Sequence, residues 1–387
     1  MARYVSEHSV DLIVQALPPL HDAIGEYARC LAIALASKAP VRTLIPLRTP
    51  VSAIEQVKIV PCFHLNGFRR FDGLLEQLLH TSSCSVLLQY NPFCWGKRGW
   101  APDLIRLLQE LRRRRPDLVI GVMFHETYTM NPGWRAGLLR MFQQRQFRAL
   151  CKLADVLFFS TEVWATTCRG AIRDRPVIHL PVGANLPPSI ADRGAIRESF
   201  RIPGEAFVCG VFGGAHPSRM IGRIESAVRR IVERLGANQS VRFLHIGGEP
   251  ISWDLGDVAV AATGRLPAQQ ASDAIATLDL MINPFSDGVS TRRGSVIASL
   301  QNGVPVLTTQ GQHTDQLWLT ERDNGVFLAP ADCESAWLET TDRAIDGVTG
   351  STAQLRCQAN AFFQHNFTWE RIAKTLLETL GDVRRSR

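Results

Sequence analysis

Apolar runs of strand length recur along this chain, separated by stretches with helical periodicity. In the first half they cover 10–16, 41–46, 85–90, 118–124, 156–160 and 177–181; in the second half, 207–212, 241–246, 258–262, 280–283, 304–308 and 325–328. Short, continuously apolar strands alternating with amphipathic helices predict a mostly parallel sheet covered on both faces, the signature of an α/β fold. The series runs twice, so two Rossmann-like domains are expected. The break falls in 183–204, which is rich in Pro, Gly and charge and contains Pro187-Pro188. Domains are therefore expected at 1–185 and 200–364, with 365–387 as a C-terminal helix packing back on the first.

In open α/β sheets ligands bind beyond the carboxyl ends of the strands, so the segments that follow each strand hold the candidate chemistry. The densest is 283–309, NPFSDGVSTRRGSVIASLQNGVPVLTT. Turn formers Pro284, Ser286, Asp287 and Gly288 lead into a helix expected over 291–301, with Ser290 as its N-cap and Asn302-Gly303 as its stop. Thr291, Arg292 and Arg293 then fall in the first turn, where acidic residues are the usual preference. That misfit reads as an anion site or as a helix that starts with exposed arginines. Elsewhere, Asp22 to Tyr27 follow the first strand and feed a helix expected over 26–37, and His125-Glu126-Thr127-Tyr128 follow the fourth. In the second half Phe212-Gly213-Gly214-Ala215-His216-Pro217-Ser218-Arg219 follow one strand and Gly247-Gly248-Glu249-Pro250 the next. Glycine lets backbone approach a ligand, and Arg219 offers a fork of donors suited to a diphosphate.

Composition narrows the class. At 387 residues the chain suits two domains, and no apolar run approaches the roughly 18–20 residues that span a bilayer. Glu7 and Asp11 interrupt what a signal peptide would keep apolar, so a cytoplasmic location is expected. Nine cysteines stand singly, with no Cys-x-x-Cys pair, which predicts reduced, mostly buried thiols and no zinc. The sequence has no Asp-x-Asp, and no obligatory metal or other cofactor is expected. Charge is uneven, about +9 over 1–190 and −2 over 191–387. Segment 127–154 has no acidic residue but carries Arg135, Arg140, Arg145, Arg148 and Lys152 among Trp134, Leu138, Met141 and Phe142, a basic amphipathic pattern. Arg112 to Arg115 form a second cluster. Each reads either as a solvated helix face or as attraction to an anionic membrane or lipid-diphosphate acceptor, at the inner face of the membrane. Nucleic acid is not expected, since no basic run joins an exposed aromatic platform.

Taken in order, the motifs resemble GT-B-fold glycosyltransferases, most closely family 4 of the retaining enzymes. The residues that carry the resemblance are Asp22-Ala23-Ile24-Gly25-Glu26-Tyr27, His125-Glu126, Ala154-Asp155-Val156 to Glu162, and Pro181-Val182-Gly183-Ala184-Asn185. They continue with Gly247-Gly248-Glu249-Pro250, Thr263-Gly264-Arg265-Leu266, Asp279 to Pro284, Gly303-Val304-Pro305-Val306 and Phe367-Thr368-Trp369-Glu370. Two departures stand out. The family's Arg and Lys after the first strand of the second domain match Gly214 and Arg219, so one cation is kept. Its two glutamates, the second of which holds the nucleotide ribose, match Ser290 and Ala298, so both carboxylates are absent.

The resemblance implies two Rossmann-like domains facing across a cleft that holds a nucleotide-diphosphate sugar. The sugar would pass with retention to a glycan or lipid-linked acceptor, as in bacterial cell-surface polysaccharide or glycoconjugate assembly. The departing phosphate would help deprotonate the acceptor on the same face. Arg219, with Arg292 and Arg293, would stabilise the leaving phosphate, and His125 would contact the donor sugar. Gly25, Gly214, Gly248, Arg265, Leu266, Gly288 and Thr291 would complete the donor site, and Asp287 and Ser290 would meet sugar hydroxyls unless they serve only in turn and cap. Two other readings stay open: an inverting transferase with Asp22 or His125 as base, and a sugar-nucleotide-binding protein without catalysis. A dehydrogenase is disfavoured because no Gly-x-Gly-x-x-Gly follows any strand.

Overall fold

The computed structural model describes residues 9–387 apart from 21, 130–133, 237, 249–250 and 321–323. His21 of the first-strand loop and Glu249-Pro250 of the Gly-Gly-Glu-Pro motif therefore lie outside the described residues. The chain forms two compact units, Met1–Pro181 with Trp369–Arg387, and Val182–Thr368.

Unit 1 runs β1 (Val10–Ile13), α1 (Ala23–Ala36), β2 (Val41–Pro46), β3 (Val57–Phe63), α2 (Asp72–Leu79), β4 (Ser85–Tyr90), α3 (Pro92–Trp95), α4 (Pro102–Arg114), β5 (Val119–Phe124), α5 (Trp134–Leu153), β6 (Val156–Phe159), α6 (Glu162–Ala171) and β7 (Val177–His179). Its seven parallel strands lie in the order β3-β2-β1-β4-β5-β6-β7. Every residue of β1, β4, β5 and β6 is buried, as a sheet covered on both faces requires. Helix α4 shows how the covering forms: Leu104, Leu107, Leu108 and Leu111, at i, i+3, i+4 and i+7, are its buried stripe. Each such leucine contributes about 1.5–3 kcal/mol.

Unit 2 runs α7 (Arg193–Ser199), β8 (Phe207–Phe212), α8 (Ile221–Leu235), β9 (Val241–Ile246), β10 (Ala259–Ala262), α9 (Ala268–Ala276), β11 (Leu280–Asn283), α10 (Gly294–Gln301), β12 (Val306–Gln310), α11 (Leu317–Thr320), β13 (Val326–Pro330) and α12 (Glu334–Asn366), which breaks at Ser351. Its six parallel strands are ordered β10-β9-β8-β11-β12-β13. The chain then returns as α13 (Trp369–Arg385), which packs in unit 1 against α1, β5 and β6. Leu380 reaches over Gly121, whose missing side chain makes the room.

The twelve expected strands are present, and β3 is an addition. Lys58 and Pro61 interrupt its apolar run and hid it from that reading, and both residues suit the sheet edge it occupies. Helix α1 begins at Ala23 rather than 26, because the Asp22 carboxylate caps it by accepting from the Gly25 N–H at 2.6 Å. In the Arg112–Arg115 cluster, Arg112 pairs with Asp155 and Arg115 with Asp117 and the carbonyls ending α2, which ties separate elements together, while Arg113 pairs with Glu110 on the solvated face of its own helix. Only three cysteines, Cys151, Cys168 and Cys209, are fully buried, although all nine are free thiols.

Candidate functional site

Strand order reverses direction between β8 and β11 in unit 2, and a doubly wound sheet binds its ligand at such a point. The loops leaving these strands are tied together. Arg219 bridges to Phe285, Met220 N–H donates to Pro284 O at 3.2 Å, and Ser286 N–H donates to Ser218 O at 2.8 Å. The glycines of the neighbouring loops permit close backbone contact. Gly248, with φ +74°, leaves no room for a Cβ, which would sit 2.4 Å from Gly214 Cα. Gly288, with φ +87°, likewise presses on Gly311 N and Thr314 Oγ1, each 2.3 Å from where its Cβ would lie.

Two guanidinium groups dominate the electrostatics. Arg219 donates from Nη1 to Gly213 O (3.2 Å) and from Nη2 to Phe212 O (2.9 Å), while its buried Nε has no acceptor among the described residues. No carboxylate among the described residues pairs with it, and burial together with the nearby charge of Arg293 pushes its pKa down to about 10. Arg293 stacks over the Phe285 ring at 4.0 Å and pairs with Asp287. Burial lowers its pKa too, and Asp287 opposes that. Burial pushes the Asp287 carboxyl up, but the hydrogen bond from His313 and the charge of Arg293 hold it below the ordinary range. Arg292 adds further positive charge beside Arg293 and His216. Three arginines thus lie in one corner where Arg293 is paired with a carboxylate and Arg219 and Arg293 are desolvated, an arrangement that favours an anion. A buried arginine alone would not mean this. Arg356 is equally depressed, but it is saturated by the carbonyls of Ala276, Leu278 and Asn302 at the opposite end of the sheet.

Several expected residues prove to be framework. Helix α10 begins at Gly294, three residues later than expected, and Ser290 is not its N-cap: Arg293 holds that position without a side-chain cap bond. The delay has a cause in Asp315, whose Oδ2 accepts from both the N–H (2.6 Å) and Oγ1 (2.7 Å) of Thr291 and holds that residue outside the helix. Ser290 and Thr291 are fully buried there. Leu266 packs on the core of unit 2, and Arg265 beside it is exposed. Ala298 is a core residue as well, so α10 presents no carboxylate at that position.

Gly25 and His125 belong to unit 1. Gly25 lies in the first turn of α1, where a Cβ would come 2.8 Å from Ala16 O, so the residue is required for helix and strand to meet. His125 follows β5, half-buried, with Nε2 donating to Gln89 Oε1 at 2.8 Å and its ring edge-on to Tyr27 at 4.7 Å. Burial lowers its pKa to about 3, so the imidazole is neutral near pH 7. Around it, at the β1/β4 reversal, Gln15 donates to Asp22 Oδ1 at 3.0 Å. Gln15 Oε1, Gln89 Nε2 and Tyr27 Oη are buried without partners among the described residues, each at about 1–3 kcal/mol.

No family model matches the chain, and no curated protein matches it. Solved structures do. Over 98% of this chain and 100% of its own length, sucrose-phosphate synthase from Thermosynechococcus elongatus aligns with a TM-score of 0.67 at 14% identity. Anabaena HepE in complex with UDP-glucose aligns over 97% and 99% with 0.64 at 14% identity. WaaG, a glycosyltransferase involved in lipopolysaccharide biosynthesis, aligns over 96% and 99% with 0.65 at 12% identity. The chain has the GT-B fold.

Within this GT-B chain the motif reading missed Asp315, Gln15 and Gln89. Asp315 follows β12, and inspecting every strand-end segment would have found it. Gln15 just beyond β1 and Gln89 near the end of β4 are buried polar residues in largely apolar runs, a burial conflict that is itself a signal.

Proposed function

We propose that this protein is a glycosyltransferase that moves a sugar from a nucleotide-diphosphate sugar to a hydroxyl of a glycan or lipid-linked acceptor, with retention. The observation that carries the reading is the Arg219 and Arg293 pair at the reversal of unit 2, two desolvated guanidiniums near enough for the charge of Arg293 to depress Arg219, with Asp287 paired to Arg293. As the bond from the anomeric carbon to the diphosphate oxygen breaks, negative charge grows on the departing phosphate. Fixed cations in a desolvated site stabilise that charge more than they stabilise the bound donor. The acceptor oxygen bonds to the anomeric carbon on the same face and its proton passes to the phosphate oxygen, so neither a protein nucleophile nor an obligatory metal is needed. Arg292, Gly214, Gly248 and Gly288 shape the phosphate corner. The unsatisfied Gln15, Gln89 and Tyr27 groups suit the hydroxyls of a sugar or acceptor.

Retention is favoured over inversion because His125, neutral with a pKa near 3, is a weak base at pH 7, and Asp22 is engaged as a helix cap. Sugar-nucleotide use is supported by HepE, whose structures hold UDP-glucose or UDP with glucose. A role in cell-surface glycoconjugate assembly is supported by WaaG. Calorimetry with UDP, GDP, ADP and dTDP, followed by NMR of the product's anomeric configuration, tests the proposal. An inverted product would overturn the same-face step. The absence of carboxylates at Ser290 and Ala298 favours one other reading, a binding protein without catalysis. It predicts nucleotide binding with neither transfer nor donor hydrolysis.

A further inference from the structure

Helix α5 is built inside out over its first half. Its inward side chains include Gln143 and Gln146, both buried. Gln143 accepts from Thr129 N–H (2.7 Å) and donates to Arg98 O (3.1 Å); Gln146 accepts from Ala101 N–H (2.7 Å) and donates to Tyr90 Oη (2.8 Å). Its outward side chains are apolar: Trp134 is 72% exposed, Met141 65%, Phe142 53% and Leu138 51%. A helix that only covered a sheet would reverse this assignment. Trp100 extends the patch, its ring 5.7 Å from that of Phe142, and Arg135 lies over the Trp134 ring at 5.2 Å.

At 100° per residue, Trp134, Leu138, Met141, Arg145, Arg148 and Lys152 fall within an arc of about 80°. The outer stripe is therefore apolar for two turns and cationic for the rest. Arg145, Arg148 and Lys152 are exposed and in no ion pair among the described residues, and segment 127–154 holds no acidic residue. We infer that this face of unit 1 docks on an anionic lipid bilayer, with Trp134, Leu138, Met141 and Phe142 entering the interface and Arg145, Arg148 and Lys152 meeting lipid phosphates. A second copy is a poorer occupant, because the same stripe on its partner carries no carboxylate to meet Arg145, Arg148 and Lys152. The surface is independent of the donor chemistry proposed above.

The test is co-sedimentation of the full chain with phosphatidylcholine vesicles, with and without about one-third phosphatidylglycerol. Wild type pellets with the anionic vesicles and is released by salt, while pure phosphatidylcholine retains little. Replacing Arg145, Arg148 and Lys152 together by Gln lowers the partition coefficient about 100-fold, near five-fold per charge. The triple change Trp134→Ser, Leu138→Ser and Phe142→Ser also releases the protein. Because all six side chains are exposed, circular dichroism and donor hydrolysis in solution stay at wild-type level, which separates failure of this surface from failure of the transferase reading. Equal binding to both vesicle types, no binding to either, or wild-type partition in the variants overturns the inference. So does dimerisation abolished by the serine variant in a protein that ignores vesicles.

Discussion

Replacing Arg219 by alanine removes a buried cation at the unit 2 reversal whose acceptors among the described residues are backbone carbonyls. Two effects on stability oppose each other. The carbonyls of Gly213 and Phe212 lose donors at 3.2 and 2.9 Å, while a guanidinium whose pKa burial has lowered to about 10 no longer has to be desolvated. The melting temperature should therefore move by only a few degrees, ~4 °C or less. Ligand binding has no such offset. A hydrogen bond from a charged donor to phosphate contributes about 2–3 kcal/mol, and at 1.4 kcal/mol per decade this weakens diphosphate binding and turnover by about 10²-fold. Isothermal calorimetry along the series nucleoside, monophosphate, diphosphate locates the effect. Nucleoside affinity should be unchanged and the deficit should grow with phosphate charge. Arg219→Lys, which keeps the charge but loses the fork, should fall between. An alanine variant that binds the diphosphate like wild type, or loses nucleoside and diphosphate equally, refutes the reasoning.

Three further outcomes follow from the same geometry. The Asp287 pKa is depressed in the folded state, so its contribution is present above the unfolded value near 4 and lost as pH falls through the folded one; the melting deficit of Asp287→Asn at pH 7 should close below about pH 4, and a pH-independent deficit would contradict the pairing with Arg293. His125 is also depressed, to about 3, so the unfolded chain takes up a proton that the folded chain refuses between about pH 3 and 6.5. Stability then rises with pH across that window, and His125→Gln should flatten the rise in a melting series from pH 4 to 7; an unaltered slope would show that His125 ionises normally. Gly248→Ala puts a Cβ 2.4 Å from Gly214 Cα at a left-handed φ, which should destabilise by roughly 1–3 kcal/mol in urea unfolding and weaken nucleotide binding, whereas unchanged values would mean that the two loops yield easily.

The fold was legible because parallel strands buried on both faces must be largely apolar: β5 is so throughout, and β1, β4 and β11 depart from it only at Asp11, at Ser85 and Gln89, and at Asn283. β3 escaped because an edge strand is under no such constraint. At the site, Arg219 and Gly248 could be found because their residue types have few other uses at a strand end. What escaped depends on distant partners. Nothing near Thr291 reveals that Asp315, 24 positions on, holds it out of α10. Nor does a basic pattern tell Arg112, tied to Asp155 from 43 residues away, from Arg145, which has no such partner among the described residues. Charge is local information; pairing is not.

The return of α13 to unit 1 has a consequence for biosynthesis. Ile372, Ala373, Leu376, Leu377, Leu380 and Val383 are buried, and the sheet they cover, β5 and β6, was completed before unit 2 began. At about 5–20 residues per second, roughly 10–40 s of elongation separate the end of the first segment from the arrival of its covering helix. Unit 2 is continuous in sequence and can close while unit 1 still waits with an open apolar face. The N-terminal unit, first to leave the ribosome, is thus the last to finish folding, and a nascent chain stalled before Trp369 would present that face to chaperones.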